Sequence, residues 1–277
     1  MKKLLHALPP LAVAIVSFLA SSILPYAFGM LIYLALGQLG VRFELEYTDL
    51  ASYVGQILVF GVIYHLMVRG KLGPRMDVSL GKGAASAAVL GLGVSGISYL
   101  WLVLAKNALS GIDFIAESLK IMEKGNESLT MGILPLSVLT VCVLGPIMEE
   151  LLFRGIICGC LERVTKVSWV PVVVSGLLFG IWNRLFVQGV SAAAMGIILA
   201  LVYHKTHDLR WPILIHIVSN AFRMLSVIPA FAALAPIPDI FTVAMIVPSA
   251  YVLYKMVRGG DSDVRPDARH RGVPEAA

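Results

Sequence analysis

Long apolar runs with almost no charge recur along the chain, and they restrict it to folds that a lipid bilayer can solvate. A membrane-spanning helix needs about 20 mostly apolar residues. The pattern predicts eight such helices, at about 8–36, 51–69, 83–105, 132–158, 169–186, 189–204, 211–230 and 239–257. Seven spans is the alternative, because the boundary between the fifth and sixth helices is weak. Since backbone polar groups must be paired inside lipid, the sequence predicts an all-α, polytopic transmembrane bundle of about eight helices.

The scarcity of charge excludes a soluble globule. Only 14% of the 277 residues are charged, whereas soluble domains carry about 25%. The net charge of +5 does not indicate a nucleic-acid partner, because Lys and Arg are spread between the apolar runs. We therefore expect membrane lipids as the surroundings and no nucleic acid. The three cysteines are expected to be small buried residues rather than a disulfide framework; they are Cys142, Cys158 and Cys160.

The placement of positive charge predicts an orientation. With the N-terminus in the cytoplasm, eight spans put 15 of the 22 Lys and Arg inside, five outside and two within helices. This bias follows the positive-inside rule, so we expect a multi-pass integral membrane protein with both termini cytoplasmic. Residues 1–257 would form one transmembrane helical domain. The polar segment 258–277 is predicted to be a disordered basic cytoplasmic tail.

The longest predicted loop, 106–131, contains its own periodic pattern. Ile112, Ile115, Leu119 and Met122 recur at helical spacing, with charged residues between them. This pattern is typical of a short amphipathic helix that lies on the membrane interface, here the outer one. An ordinary mobile loop is the alternative.

Two adjacent carboxylates, Glu149 and Glu150, follow the apolar run of the fourth predicted helix. Insertion of an ionisable group at the middle of a membrane span costs about 2.5–3.5 kcal/mol of free energy, so such a residue suggests a functional or structural role. Glu150 and Arg154 are four residues apart and can pair as structural support. Glu149 lies about 100° round the helix, away from Arg154, and is left as a poorly solvated general base. The alternative is a helix end at which both carboxylates reach headgroup water. Gly145 and Pro146 just before them predict a kink.

Polar side chains also interrupt two later helices. His216, Asn220 and Arg223 are spaced by four and three residues, so they share one face of a helix. An imidazole there can bind a metal or donate to an oxyanion, and a bonded core histidine is the alternative. Asn183 lies within the fifth predicted helix, where an amide is costly in lipid unless it is hydrogen-bonded. An ordinary interhelical polar contact is the alternative.

Two further patterns concern packing and the predicted loops. Glycines four residues apart allow helices to approach closely, which would bring these polar residues together; the pairs are Gly155 with Gly159 and Gly176 with Gly180. His204 and His207 have metal-like spacing, but they fall in a predicted cytoplasmic loop beside Lys205. We expect these two histidines to be solvated.

Together, the polar segments resemble the CAAX protease and bacteriocin-processing family, abbreviated CPBP or Abi, over about residues 132–222. That family shares an EExxxR motif, a later FxxxH and a later HxxxN. Glu149 through Arg154 matches the first motif in full, and His216 through Asn220 matches the last. Phe179 through Asn183 matches the middle motif except at its end, where Asn replaces His.

The resemblance implies peptide-bond hydrolysis inside the membrane. It implies that Glu149 activates water with help from residue 183, and that His216 and Asn220 stabilise the oxyanion. Arg223 would add an oxyanion or substrate contact. Family members are often called metalloproteases, so Glu149 and His216 are candidate ligands of a divalent metal such as zinc; a glutamate mechanism without metal is the alternative. An amide at 183 cannot accept a proton and is a poor zinc ligand, so reduced or lost activity stays open.

Three functional classes therefore follow from the sequence. The leading one is a protease like the CAAX prenyl proteases, acting on a membrane-associated peptide or protein. The rival is a non-catalytic peptide-binding, immunity or scaffold protein on the same fold. A secondary transporter is disfavoured, because the two halves of the sequence show no repeat.

The expected depths of two candidate site residues disagree. At about 1.5 Å per residue, Glu149 would lie about 13 Å from the cytoplasmic end of its helix, and Asn183 would lie about 21 Å from the cytoplasmic end of its own.

Overall fold

The computed structural model describes residues 2–39, 45–73, 76, 78–234 and 236–259. Within these ranges the chain forms nine helices and no strand, so the predicted all-α membrane bundle is confirmed. The helices are α1 (Lys2–Gln38), α2 (Leu45–Met67), α3 (Leu80–Ala108), α4 (Asp113–Met131), α5 (Leu134–Val164), α6 (Trp169–Trp182), α7 (Phe186–Thr206), α8 (Arg210–Val227) and α9 (Pro236–Arg258). The predicted tail from residue 260 onward lies outside the described residues.

Six helices have the length and apolar composition to cross a membrane, namely α1, α2, α3, α5, α7 and α9. Helix α6 is apolar but has only 14 residues. Each of the eight predicted spans corresponds to one of these seven helices or to α8. On α1, the apolar side chains of Ile15, Leu19 and Ile23 are 58%, 59% and 66% exposed. Such an outward-facing apolar surface is what lipid tails solvate.

The amphipathic helix predicted in the longest loop is present as α4. Its Ile115 is buried with Ala105 of α3 and Val187 of α7. The Ser118 hydroxyl accepts a hydrogen bond of 3.0 Å from the Val187 backbone N–H. Helix α4 is therefore attached to the bundle by its apolar face, and its placement on the outer interface stays a prediction.

Helix α5 is the centre of the bundle, because it packs against α1, α2, α6, α7 and α8. Its side chains Met148, Leu152, Phe153 and Ile156 are at most 1% exposed. The helix is not regular: π-helical turns occupy Thr140–Leu144 and Leu151–Cys158, on either side of Gly145–Glu150. The kink expected at Gly145 and Pro146 stays a prediction. The structure shows widened turns on either side of these residues, and such turns often occur at functional sites.

Glycines bring α6 and α7 into close contact. A Cβ added to Gly180 would lie 2.6 Å from the Gly189 carbonyl oxygen, and one on Gly176 would lie 2.7 Å from the Ile197 nitrogen. The other predicted pair, Gly155 and Gly159, faces the side chains of Tyr64 in α2 and of Val68 directly after it. All three cysteines are free and buried, as predicted.

Candidate active site

The polar residues of three helices meet in one cavity of about 240 Å³. Glu149 of α5, Asn183 at the end of α6, and three residues of α8 line it; the three are His216, Asn220 and Arg223. Residues of α2, α3, α4 and α7 complete its wall. The structure therefore brings together every residue for which the sequence suggested a direct part in chemistry.

Glu150 and Arg154 form a fully buried ion pair that does not line this cavity. Arg154 Nη1 donates to Glu150 Oε1 at 2.8 Å, and both side chains are 0% exposed. Arg154 Nη2 also donates to the Gly196 carbonyl oxygen at 3.1 Å, which links α5 to α7. The guanidinium lies 4.8 Å from the centre of the Phe179 ring. Such hydrogen bonds offset part of the desolvation free energy of a charge pair that is buried in an apolar interior.

His216 lies between the two adjacent carboxylates. Its Nδ1 is 2.9 Å from Glu150 Oε1, and its Nε2 is 3.5 Å from Glu149 Oε2. Because an ionised carboxylate only accepts hydrogen bonds, Glu150 requires the proton on Nδ1. The Glu149 side chain is 16% exposed while Glu150 is 0% exposed. Glu149 is consequently the carboxylate that the cavity reaches, and Glu150 is the one that orients the ring.

The two asparagines are anchored to backbone carbonyls. Asn220 Nδ2 donates at 3.0 Å to the carbonyl of Val141, in the first π-helical turn of α5. Asn183 Nδ2 donates at 2.9 Å to the carbonyl of Phe179, one turn earlier in α6. Each amide keeps a second N–H and a carbonyl oxygen for other partners.

The expected mismatch in depth does not separate Glu149 from Asn183, because both residues line the same cavity. The prediction counted residues from the expected end of each helix. For the fourth predicted helix that end was placed at residue 158, whereas α5 continues to Val164.

Sequence reasoning missed several residues that line the cavity, among them Tyr53, Ser98, Gln188 and Ser191. The Tyr53 ring of α2 lies 3.7 Å from where a Cβ on Gly145 would be. A tyrosine in an apolar helix carries no signal of its own. Gln188 did carry one, as an uncharged polar group near the start of an apolar run.

The prediction that His204 and His207 are solvated loop residues is wrong. His204 belongs to the last turn of α7, and His207 caps that helix with a φ of +47°. Their side chains are only 25% and 15% exposed, and both contact Glu162. Burial follows because α5 extends to Val164 and brings Glu162 beside them.

The donors around Glu149 do not fit a usual catalytic zinc site. Such sites have three protein ligands, but Glu149 and His216 supply only two, and an amide at Asn183 is a poor third. The Glu150 oxygen that faces His216 already accepts from Arg154. In the described part of the chain, one group of three His, Cys, Asp or Glu side chains has its ligand atoms within 4.8 Å of one another. That group is Glu162, His204 and His207, outside this cavity.

Residues 132–222 match the family model described as type II CAAX prenyl endopeptidase Rce1-like. The chain is also 33% identical over 88 residues to the putative membrane peptidase YdiL of Bacillus subtilis (strain 168), which covers 32% of this chain and 36% of YdiL. It is 33% identical over 94 residues to the membrane-embedded CAAX protease MroQ of Staphylococcus aureus (strain USA300), over 32% of this chain and 38% of MroQ. The matched region thus spans little more than a third of either relative. No solved structure matches the chain significantly. The family resemblance predicted from the motifs is confirmed.

Proposed function

From the Rce1-like CAAX prenyl endopeptidase region at residues 132–222, we propose that this protein is an intramembrane endopeptidase. Its substrate would be a membrane-associated peptide or protein. The observation that carries the proposal is the contact of 3.5 Å between the Glu149 carboxylate and the His216 imidazole. These groups come from separate helices and meet in a cavity inside an apolar bundle. Both atoms are close enough for one water molecule to touch them together.

In the proposed reaction, Glu149 is the general base. Water that contacts both Glu149 Oε2 and His216 Nε2 attacks the scissile carbonyl carbon, and Glu149 takes a proton from it as the new O–C bond forms. The carbonyl oxygen becomes an anion. Glu149 then gives the proton to the leaving nitrogen as the C–N bond breaks, which restores the carboxylate. No step of this scheme passes through a metal.

The oxyanion needs hydrogen-bond donors, and α8 supplies them. With Nδ1–H held by Glu150, His216 Nε2 donates only when the ring is protonated. Carboxylates lie on both sides of the ring, at 2.9 Å and 3.5 Å. Protonated Nε2 and the second N–H of Asn220 would then bind the oxyanion. Arg223, an exposed residue of the cavity wall, would contact the substrate.

Asn183 favours a second candidate function. Its amide can hold water by a hydrogen bond, but it cannot take a proton as the family histidine can. A chain with this substitution can retain the cavity and bind a peptide without cleaving it. Peptide binding without hydrolysis is therefore the alternative, and the experiment must distinguish it from peptide cleavage.

The test uses the full chain in liposomes with fluorogenic peptides anchored in the same membrane. One peptide ends in a prenylated CAAX sequence, and its partner has the same sequence without the prenyl group. We expect Glu149→Gln to lower the cleavage rate by about 10²–10⁴-fold. Glu123→Gln is the matched control, because Glu123 is exposed on α4.

The outcomes are distinct. Equal cleavage by wild type and Glu149→Gln would eliminate Glu149 as the base. Tight peptide binding by both proteins with no cleavage by either would establish the second candidate instead.

A further inference from the structure

A second polar cluster lies outside the active-site cavity, where the end of α5 meets the end of α7. It consists of Glu162, His204 and His207, whose ligand atoms all lie within 4.8 Å of one another. The Glu162 side chain is 8% exposed, so the carboxylate is largely withdrawn from solvent. None of the three residues lines the cavity around Glu149.

The hydrogen-bonding pattern of the cluster requires a cation, either a proton or a metal ion, between Glu162 and His207. Glu162 Oε1 is 2.7 Å from His204 Nδ1, and Glu162 Oε2 is 2.9 Å from His207 Nε2. On its other side, His207 Nδ1 is 3.3 Å from the Gly73 carbonyl oxygen. Because a carbonyl only accepts, the His207 proton belongs on Nδ1. The Nε2 lone pair then faces a carboxylate oxygen, and two acceptors at this distance repel unless a proton or a metal ion lies between them.

We propose that Glu162, His204 and His207 form a binding site for a first-row transition metal, best suited to zinc. Two imidazoles and a carboxylate are borderline donors that zinc accepts, whereas calcium and magnesium prefer oxygen ligands throughout. A ligating histidine usually donates its other N–H to a carbonyl or carboxylate, and His207 does so to Gly73.

The geometry of the cluster can admit the ion after a small movement. Zinc bonds of about 2.0–2.2 Å in a tetrahedron place ligand atoms about 3.4 Å apart. The present contacts of 2.7 and 2.9 Å would open by several tenths of an ångström. The left-handed φ of +47° at His207 is uncommon for a residue with a Cβ, and such strain often marks a site that fixes a side chain.

The site would fasten three parts of the fold together. Glu162 belongs to α5, the histidines end α7, and Gly73 lies beyond α2. Next to the cluster, Arg163 donates at 2.8 Å to the carbonyl of Met67 at the end of α2. An ion that binds only the folded chain stabilises it, and this site lies outside the cavity that contains Glu149.

The experiment titrates zinc into the full, chelator-treated chain in detergent and measures bound metal and the unfolding temperature. We expect about one zinc ion per chain at this site and an unfolding temperature that rises with zinc. Glu162→Gln and His204→Ala should each weaken binding by about 100-fold or more, since loss of even an outer partner costs 10–100-fold. Cobalt in place of zinc gives a visible spectrum that reports the ligand geometry.

Two controls make the result specific. His65→Ala removes an exposed histidine of α2, and His216→Ala removes the histidine of the active-site cavity; neither should change this binding. The fold of Glu162→Gln is checked by its unfolding temperature without zinc, and His204→Ala serves if that variant does not fold. The proposal fails if zinc neither binds the wild type nor stabilises it, or if binding persists in Glu162→Gln and His204→Ala. In either case, the cation between Glu162 and His207 is a proton rather than a metal ion.

Discussion

Replacing Arg154 by methionine should destabilise the protein severely, because it leaves the buried Glu150 carboxylate without its arginine partner and with only His216 in contact. Both side chains are 0% exposed. The change removes the hydrogen bonds of 2.8 Å to Glu150 and 3.1 Å to the Gly196 carbonyl. Removal of one partner from a buried ion pair costs about 3–5 kcal/mol. For a chain of this size the unfolding temperature should fall on the order of 10 °C.

The double variant Glu150→Gln with Arg154→Met tests the reasoning further. It removes both charges together, and a neutral replacement of a buried pair is often close to neutral in stability. We therefore expect the double variant to recover much of the lost unfolding temperature. Peptide cleavage should not recover, because an amide at position 150 accepts the hydrogen bond from His216 Nδ1 more weakly than a carboxylate does and orients the ring less well.

Thermal unfolding of the full chain in detergent is the assay, and Arg163→Met is the matched control. Arg163 is an exposed residue of the same helix and donates one hydrogen bond to the Met67 carbonyl, so its loss should cost about 1 kcal/mol. If Arg154→Met unfolds at the same temperature as Arg163→Met, the buried ion pair contributes no more to stability than one exposed hydrogen bond, and the prediction is wrong. A double variant no more stable than Arg154→Met would refute the charge argument even if the single variant is unstable.

Three further predictions follow. Asn183→His should raise the cleavage rate if the amide limits an active enzyme, and no gain in the liposome assay would show that the amide suffices or that the site is inactive. Gly180→Ala should cost about 1–3 kcal/mol in thermal unfolding, because its Cβ would meet the Gly189 carbonyl at 2.6 Å, whereas Gly61→Ala meets nothing within 4 Å. The predicted orientation requires Lys124→Cys to react with an impermeant thiol reagent from outside intact cells and Lys166→Cys to stay protected; the reverse pattern would invert the topology.

The helices could be predicted from sequence because membrane spans are set mainly by apolar length. Their ends could not be predicted as well, and α5 shows why. Glu162 and Arg163 are charged, so the sequence placed them in a loop after residue 158. In the structure they continue the helix, since Glu162 has two histidine partners and Arg163 has a backbone carbonyl.

Residues that line the cavity could be predicted where the chain places several polar groups on one helix, as with His216 and Asn220. Residues whose contact partners lie far away along the chain showed no such pattern in the sequence. Glu162 and His204 are 42 residues apart, so nothing local in the sequence pointed to their contact. Tyr53 was missed for the same reason, because only the packing of α2 against α5 brings it to the cavity.

The contacts of His216 give a physical reason for two adjacent glutamates. Neighbouring residues on a helix point about 100° apart, so they can approach one imidazole from two sides. Glu150 reaches Nδ1 at 2.9 Å and Glu149 lies 3.5 Å from Nε2. Carboxylates four residues apart would share one helix face and compete for the same nitrogen. Since Arg154 is four residues from Glu150, it holds that carboxylate in place and leaves Glu149 to face the cavity.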